Sequence, residues 1–179
     1  MKRTHPIIRF FKHMFSYPWQ VKCYFSAVAL HNIEQAISAS EKKHAGEIRF
    51  IVETGLHPLE ILYKKTPKKR ALQLFGHLNI WDTEHNNGVL IYLLLVDRDV
   101  EIVADRGIDR HVGHAGWEKI CHDMEVQFRK GEFEAGVLQG IAEISVELEK
   151  HFALTAESLT DGSLTGLNKN EISNKPLII

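Results

Sequence analysis

The sequence is poor in cysteine and has no long apolar run. Only two cysteines occur among its 179 residues, which excludes a framework of disulfides and favours a reducing compartment. The longest unbroken apolar stretch, Val89–Val96, is far shorter than the ~20 residues that a membrane-spanning helix needs. The net charge of -1 provides no overall field for a polyanion. We therefore expect neither a transmembrane span nor a nucleic-acid partner.

Motifs of several enzyme classes are also missing. The sequence lacks the P-loop and the Gly-x-Gly-x-x-Gly fingerprint, so we expect no nucleotide cofactor. It also lacks the Gly-x-Ser-x-Gly elbow and the His-Glu-x-x-His zinc motif. His111 and His114 lie near Cys121 and His122, but this spacing does not match a zinc site, and solvated or capping histidines are the favoured interpretation.

What the sequence does contain is an alternation of helical and strand patterns. Two strands separated by a helix are expected to be parallel, whereas a link of only three residues forces an antiparallel hairpin. Two amphipathic helices complete the pattern, and the prediction is an α/β fold, a three-layer α/β/α sandwich in which helices flank a short mixed sheet. The predicted elements are a helix over roughly Ser26–His44, strands over Glu47–Glu53, Val89–Val96 and Val100–Ala104, and a helix that begins at Pro67.

Three segments are expected along the chain. Residues 1–15 form a basic amphipathic segment, residues 16–152 the folded domain, and residues 153–179 a polar tail that we expect to be disordered. Arg9 and Lys12 interrupt the apolar part of the first segment, so we expect no cleaved signal peptide. This segment could lie on an anionic membrane or pack on its own domain or on a partner, and packing is favoured.

The strand directions predict a cluster of oxygen-bearing side chains. Both parallel strands begin at one edge of the sheet, and the antiparallel third strand ends there. Carboxylate and amide oxygens are the ligands that Ca²⁺ and Mg²⁺ prefer, although an ordinary turn with solvated carboxylates would have the same composition. The predicted metal ligands are Glu47, Asp82, Glu84, Asn87 and Asp105, with Thr83, Asn86 and Asp109 nearby.

The opposite edge offers a competing pair of carboxylates, Asp97 and Asp99. An apolar strand that ends in Asp-x-Asp is similar to the nucleophile strand of haloacid-dehalogenase-type phosphatases. In that motif Thr or Val normally follows the second Asp at a distance of two residues, where this sequence has Glu101. The immediate antiparallel return also leaves no room for a crossover. A polar hairpin turn is therefore the favoured interpretation of this pair.

The succession of segments resembles the TPM domain family over roughly Phe25–Phe152. This resemblance implies a Rossmann-like α/β/α sandwich, divalent-cation binding, particularly of calcium, in some members, and a weak acid phosphatase activity in the plant form. By position, Glu47, Thr83, Asn87 and Gly107 match the family pattern. The segments that carry it are "HAGEIRFIVE", "LFGHLNIWDTEHNNGVLIYLLL", "DVEIVADRGI", "WEKICHDMEVQFRKGEFEAGVLQGI" and "ISVELEKHF".

The expected function is that of a divalent-cation-binding interaction module with an unidentified protein partner. We expect a cytoplasmic location, with attachment to the periphery of the inner membrane left open, and a task in envelope or protein-quality functions. One alternative is a metal-assisted acid phosphatase that acts on phosphomonoesters, with weak activity at most. The other is a structural adaptor without a ligand.

Overall fold

The computed structural model describes residues 6–154 and 171–179. Short helical elements precede the sheet, and the remaining elements alternate between helix and strand before two long helices. The elements are α1 (Pro6–Met14), a 3-10 turn (Pro18–Gln20), α2 (Val21–Tyr24), α3 (Ala27–Ser40), β1 (Glu47–Glu53), α4 (Pro58–Leu62), α5 (Pro67–His77), β2 (Gly88–Leu94), β3 (Asp99–Ala104), α6 (Arg106–Lys130), α7 (Phe133–Phe152) and β4 (Leu177–Ile178).

The sheet is mixed, with the strand order β3-β2-β1-β4. Strands β1 and β2 are parallel, with Glu47 opposite Gly88. Strand β3 is antiparallel to β2, with Val89 opposite Ala104. Strand β2 is buried along its whole length, as expected for a central strand covered on both faces. The predicted hairpin and the predicted parallel pair are therefore confirmed.

Helices cover both faces of the sheet, and each face has its own apolar core. On one face, α3, α6 and α7 pack against side chains of β1 and β2 such as Phe50 and Ile91. On the other face, α5 packs against alternate residues of the same strands, such as Ile51 and Leu90. Because successive strand residues point to opposite faces, one strand sequence serves both cores. The result is the predicted three-layer α/β/α sandwich.

Helix α3 is shorter than predicted, and helix α6 contains a kink. Helix α3 begins after its N-cap Ser26, whose hydroxyl accepts from the Ala29 N–H at 3.0 Å. It ends at Ser40, before the predicted His44, where the chain turns so that the Glu41 carboxylate accepts from the Ile48 N–H at 3.0 Å. Helix α6 begins after its N-cap Asp105 and consists of two helical segments joined by a kink at Gly113, whose φ of 68° is non-helical.

The C-terminal strand corrects the prediction for the tail. Residues 153–179 are predicted to be disordered, and this is wrong for the last of them. Strand β4 lies parallel to β1, and the Thr54 N–H donates to the Ile179 carbonyl at 2.9 Å. Its short apolar sequence pairs with an otherwise free sheet edge. The prediction for residues 155–170 lies outside the described residues.

Helices α6 and α7 are the longest of the described elements. They pack on each other and on the sheet. In residues 6–154 and 171–179, no helix combines the length and the apolar composition that crossing a membrane requires.

Candidate functional site

A row of three residues crosses the sheet where β1 and β2 begin and β3 ends. Glu47, the first residue of β1, lies opposite Gly88. Asp105, the residue after β3, donates its backbone N–H to the Gly88 carbonyl at 2.9 Å. Residues opposite each other in neighbouring strands point to the same face, so the pleat directs Glu47 and Asp105 to one side of the sheet. The strand directions thus bring both carboxylates to one edge, as predicted from the topology.

Gly88 lets the backbone at Ile80 approach the sheet closely between these carboxylates. Neighbouring strands are ~4.8 Å apart, which separates the Cα atoms of Glu47 and Asp105 by roughly 10 Å. A Cβ atom on Gly88 would collide with the Ile80 carbonyl oxygen. The row therefore carries a carboxylate at each end and a backbone carbonyl oxygen above its centre.

The loop before β2 is held in place by the other family-pattern residues. The Asn87 N–H donates to the Thr83 hydroxyl at 3.0 Å, and the Asn87 Nδ2 donates to the Ala45 carbonyl at 3.0 Å. The Gly107 N–H donates to the Asn86 carbonyl at 2.9 Å, and a Cβ atom on Gly107 would collide with the same carbonyl. Thr83, Asn87 and Gly107 therefore fix this loop against the segment before β1 and against the start of α6.

Within the described residues, three side-chain oxygens at this edge are buried without a hydrogen-bond donor: Glu47 Oε1, Asn87 Oδ1 and Asp105 Oδ2. The second oxygen of each carboxylate is paired, because Glu47 Oε2 accepts from the Ile172 N–H at 3.3 Å and Asp105 Oδ1 accepts from the Arg106 N–H at 2.7 Å. A buried acceptor without a donor costs about 1–3 kcal/mol. No donor in the described part of the chain offsets the negative charge on these three oxygens.

The charges around this edge are poorly compensated. Burial raises the pKa of Glu47 to about 7, and the charge of Glu171 raises it further, against the lowering effect of two backbone N–H donors. Burial likewise raises the pKa of Glu41 to about 8, with the charge of Glu47 adding to the effect. A proton or a cation near Glu47 would relieve this accumulation of negative charge.

Asp82 and Glu84, also predicted as ligands, lie exposed on the loop before β2. The structure thus brings Glu47, Asn87 and Asp105 to one edge and leaves Asp82 and Glu84 in solvent. Throughout the described part of the chain, no group of three or more His, Cys, Asp or Glu side chains is placed to hold a metal ion. Any cation site here would therefore have to combine two carboxylates with neutral oxygens.

The C-terminal segment adds residues to this edge that the sequence patterns did not indicate. The Glu171 carboxylate accepts from the Glu84 N–H at 3.2 Å. Next to it, the buried Ile172 places its N–H against Glu47. The only sequence signal for this docking is the apolar end Leu177–Ile179, which follows a polar stretch.

The competing carboxylates at the opposite edge have structural partners. Asp97 accepts from Arg9 Nε at 2.9 Å and lies 3.3 Å from His13 Nε2. Asp99 has its pKa raised to about 7 by burial and by neighbouring carboxylates, with Glu101 the largest of them. These contacts make Asp97 an anchor for α1, in agreement with its interpretation as part of a hairpin turn.

A groove of about 780 Å³ runs along the outer edge of β3 between α5 and α6. The histidines considered for zinc lie in or near it with other partners, since His114 faces Glu118 at 3.2 Å and His111 stacks on His151. Burial raises the pKa of the Cys121 thiol in its wall to about 12, which leaves it unreactive. This groove lies apart from the row at Gly88.

The sequence profile of the TPM domain matches residues 23–147. The chain belongs to the TPM domain family. The matched part of this TPM domain runs from α2 into α7 and includes Glu47, Gly88 and Asp105, whereas β4 lies beyond it.

Solved structures similar to this TPM domain share its architecture. The NMR structure of the BA42 protein from the psychrophilic bacterium Bizionia argentinensis aligns with a TM-score of 0.70 at 27% identity, and the alignment covers 86% of this chain and 94% of that one. The N-terminal domain of a protein from P. gingivalis aligns with a TM-score of 0.61 at 17% identity, covering 85% and 96%, and shows likeness of fold alone. No curated protein matches the chain.

Proposed function

We propose that this TPM domain binds a divalent cation, with calcium as the best candidate, at the row formed by Glu47, Gly88 and Asp105. The supporting observation is the set of buried oxygens without donors on Glu47, Asn87 and Asp105. Hard cations take roughly six to eight oxygen ligands from carboxylates, amides, carbonyls and water. The Ile80 carbonyl above Gly88 adds a backbone oxygen of the same kind.

The chemistry of this donor set favours calcium or magnesium over softer metals. Carboxylate, amide and carbonyl oxygens suit magnesium, calcium and manganese, whereas zinc and copper prefer imidazole or thiolate ligands. Mixed oxygen ligands on three different segments tolerate the irregular geometry of calcium better than the strict octahedron of magnesium. Two carboxylates would balance the charge of one divalent cation.

The proposed role is that of an interaction module rather than an enzyme. Glu47 accepts from the Ile172 N–H, so a cation at Glu47 would act on the same carboxylate that holds the C-terminal segment. Cation binding would then strengthen or weaken the docking of that segment and change the surface offered to a protein partner. A task in envelope or protein-quality functions is part of this proposal.

A calcium titration tests the binding site. We expect backbone amide shifts at Glu47, Asn87 and Asp105, and a dissociation constant between about 10⁻⁵ and 10⁻³ M. Glu47→Gln and Asp105→Asn should each weaken binding at least about tenfold, because each removes a ligand charge at nearly constant shape. Glu118→Gln on the exposed side of α6 is the charge-matched control and should bind like the wild type. Unchanged calcium binding in the double variant that combines Glu47→Gln and Asp105→Asn would refute this site.

A phosphomonoester assay on the same samples addresses the hydrolase alternative. Turnover that needs the cation and disappears in the Glu47→Gln, Asp105→Asn double variant would replace the binding module by a metal-assisted phosphatase. Binding without turnover supports the interaction module. The absence of both would favour the structural adaptor.

A further inference from the structure

Helix α1 packs on the domain with polar side chains facing inward and most of its apolar side chains exposed. Its apolar residues Ile7 and Phe11 are 61% and 50% exposed, whereas the polar His13 is 2% exposed. Phe11 and His13 are two positions apart in the helix, so their side chains point to opposite sides of it. A helix that packs on its own domain normally turns its apolar side inward. The packing favoured from the sequence is therefore present, but through the opposite face.

Polar contacts hold the helix in this orientation. Asp97, in the turn between β2 and β3, accepts from Arg9 Nε at 2.9 Å and lies 3.3 Å from His13 Nε2. The Leu56 N–H donates to His13 Nδ1 at 2.9 Å, which leaves the ring proton on Nε2, directed at Asp97. A Cβ atom on Gly55 would collide with the Ser16 side chain, so the end of α1 approaches the loop after β1 closely. The apolar side of α1 is thus fixed toward solvent.

Neighbouring elements extend this exposed apolar surface. Helix α4 contacts α1. Leu59 and Leu62 of α4 are exposed, and so is the next residue, Tyr63, by 81%. Tyr17 and Trp19, just beyond α1, are exposed as well. Large apolar side chains clustered on a protein surface mark an interaction site, while single ones are ordinary. The docking surface is formed by the exposed apolar side chains of α1 and of α4 with its following residue, namely Ile7, Ile8, Phe11, Leu59, Leu62 and Tyr63.

The exposed charged side chains beside this docking surface, Lys12 and Lys64, are basic. Helix α1 contains no acidic residue, and Lys12 is exposed beside its apolar side. Lys64 is exposed next to Tyr63, and the acidic residue of α4, Glu60, is paired with Lys65. Apolar and aromatic side chains bordered by lysines fit the interface of an anionic bilayer, where rings lie at the headgroup level and ammonium groups meet lipid phosphates.

We propose that α1 and α4 form a surface that docks on an anionic lipid bilayer, with the axis of α1 parallel to the membrane. The apolar side of α1 enters the headgroup boundary by about 5–10 Å while the rest of the domain stays in water. This docking surface lies at the edge of the sheet opposite Glu47 and does not depend on cation binding. Docking of this kind attaches the protein to the membrane surface without spanning the bilayer.

Vesicle co-sedimentation of the full chain tests this proposal. We expect binding to phosphatidylcholine vesicles that contain phosphatidylglycerol, weaker binding to phosphatidylcholine alone, and loss of binding at high salt. Phe11→Asp should reduce binding at least about tenfold. Val146→Asp, at a site on α7 that is 62% exposed, is the matched control and should bind normally. Lys12→Gln and Lys64→Gln, which each remove one positive charge, should each weaken binding about fivefold, on anionic vesicles only.

Two results would overturn the proposal. One is equal vesicle binding by the Phe11→Asp and Val146→Asp variants, with circular dichroism showing both to be folded. The other is self-association in analytical ultracentrifugation that Phe11→Asp abolishes, without vesicle binding by the wild type, because the surface would then fit a second copy of this chain. A blue shift of Trp19 fluorescence on addition of vesicles, absent in Phe11→Asp, would support docking.

Discussion

Individual buried carboxyl groups determine how this protein responds to pH. Burial raises the pKa values of Glu41 and Glu47 to about 8 and about 7, and that of Asp99 to about 7. In an unfolded chain such groups titrate near pH ~4. The folded protein therefore holds these protons more tightly than the unfolded chain does. Their contribution to stability is complete below pH ~4 and is lost as the pH rises through about 7 to 8.

We expect the free energy of unfolding, measured by urea titration without added cation, to fall between about pH 5 and about pH 8. Glu41→Gln should flatten this fall and raise stability at about pH 8 by roughly 1–3 kcal/mol, because the amide has no proton to lose. The new amide can keep the bond from the Ile48 N–H. A half-turn of the Asn174 amide, which now donates its Nδ2 to Glu41, would let the new amide donate to Asn174 Oδ1. Glu118→Gln, at an exposed position, should leave the profile unchanged. An equally steep profile in Glu41→Gln would contradict this explanation.

Among the elements, β4 depends on contacts made by side chains of β1 and of Glu41, the residue that follows α3. The Arg49 guanidinium donates to the carbonyls of Ser173 and Lys175, the latter at 2.8 Å. Asn174 Nδ2 donates to the Glu41 carboxylate at 2.7 Å. A strand of two residues is too short to be stable by its own ladder, so these side chains complete its attachment.

Arg49→Ala should loosen β4 while the rest of the sheet stays folded. The loss of these bonds costs roughly 1–2 kcal/mol, so the amide protons of Thr54 and Ile179, which bond across this edge, should exchange about tenfold faster. Lys119→Ala, which removes a surface cation from α6, is the control. Unchanged exchange at Thr54 and Ile179 in Arg49→Ala would show that the arginine does not hold the strand.

In the whole molecule, the two edges of the sheet differ in how their charges are paired. At the edge where β1 ends, Arg70 donates to both oxygens of Glu53 at 2.8 Å, and the Tyr92 hydroxyl donates to the same carboxylate at 2.7 Å. Burial and the nearby Glu53 raise the pKa of Tyr92. At the opposite edge, Glu47 and Asp105 each have an oxygen with no hydrogen-bond donor among the described residues. The charges are therefore paired at the edge of Glu53 and only partly paired at the edge of Glu47.

Glu53→Ala should therefore destabilise the whole domain. It leaves the Arg70 charge and the Tyr92 hydroxyl without their acceptor, and removing one partner of a buried ion pair costs about 3–5 kcal/mol. The melting temperature should fall strongly, while Asp123→Ala, in the exposed pair with Lys119, should change stability by less than about 1 kcal/mol. Similar melting temperatures for the two variants would show that the contacts of Glu53 with Arg70 and Tyr92 do not stabilise the fold.

The sequence by itself determined the elements and their directions, because these depend on local patterns. Alternating and helical apolar spacing, the caps Ser26 and Thr66, and the three-residue link before β3 are all readable from neighbouring residues. The strand directions then placed Glu47 and Asp105 at one edge. The strand directions do not show which carboxylates of the loop before β2 point into solvent, and in the structure Asp82 and Glu84 are exposed.

Only the tertiary structure decided the features that join distant segments. The docking of β4 on β1 depends on contacts more than a hundred residues apart in the chain, such as Arg49 with Lys175, and no local pattern records them. The reversed orientation of α1 depends on Asp97, since an ion pair with Arg9 and a bond to His13 outweigh the apolar preference of the helix. Local sequence fixes which side of a helix is apolar, but which side faces inward depends on partners that folding brings to it.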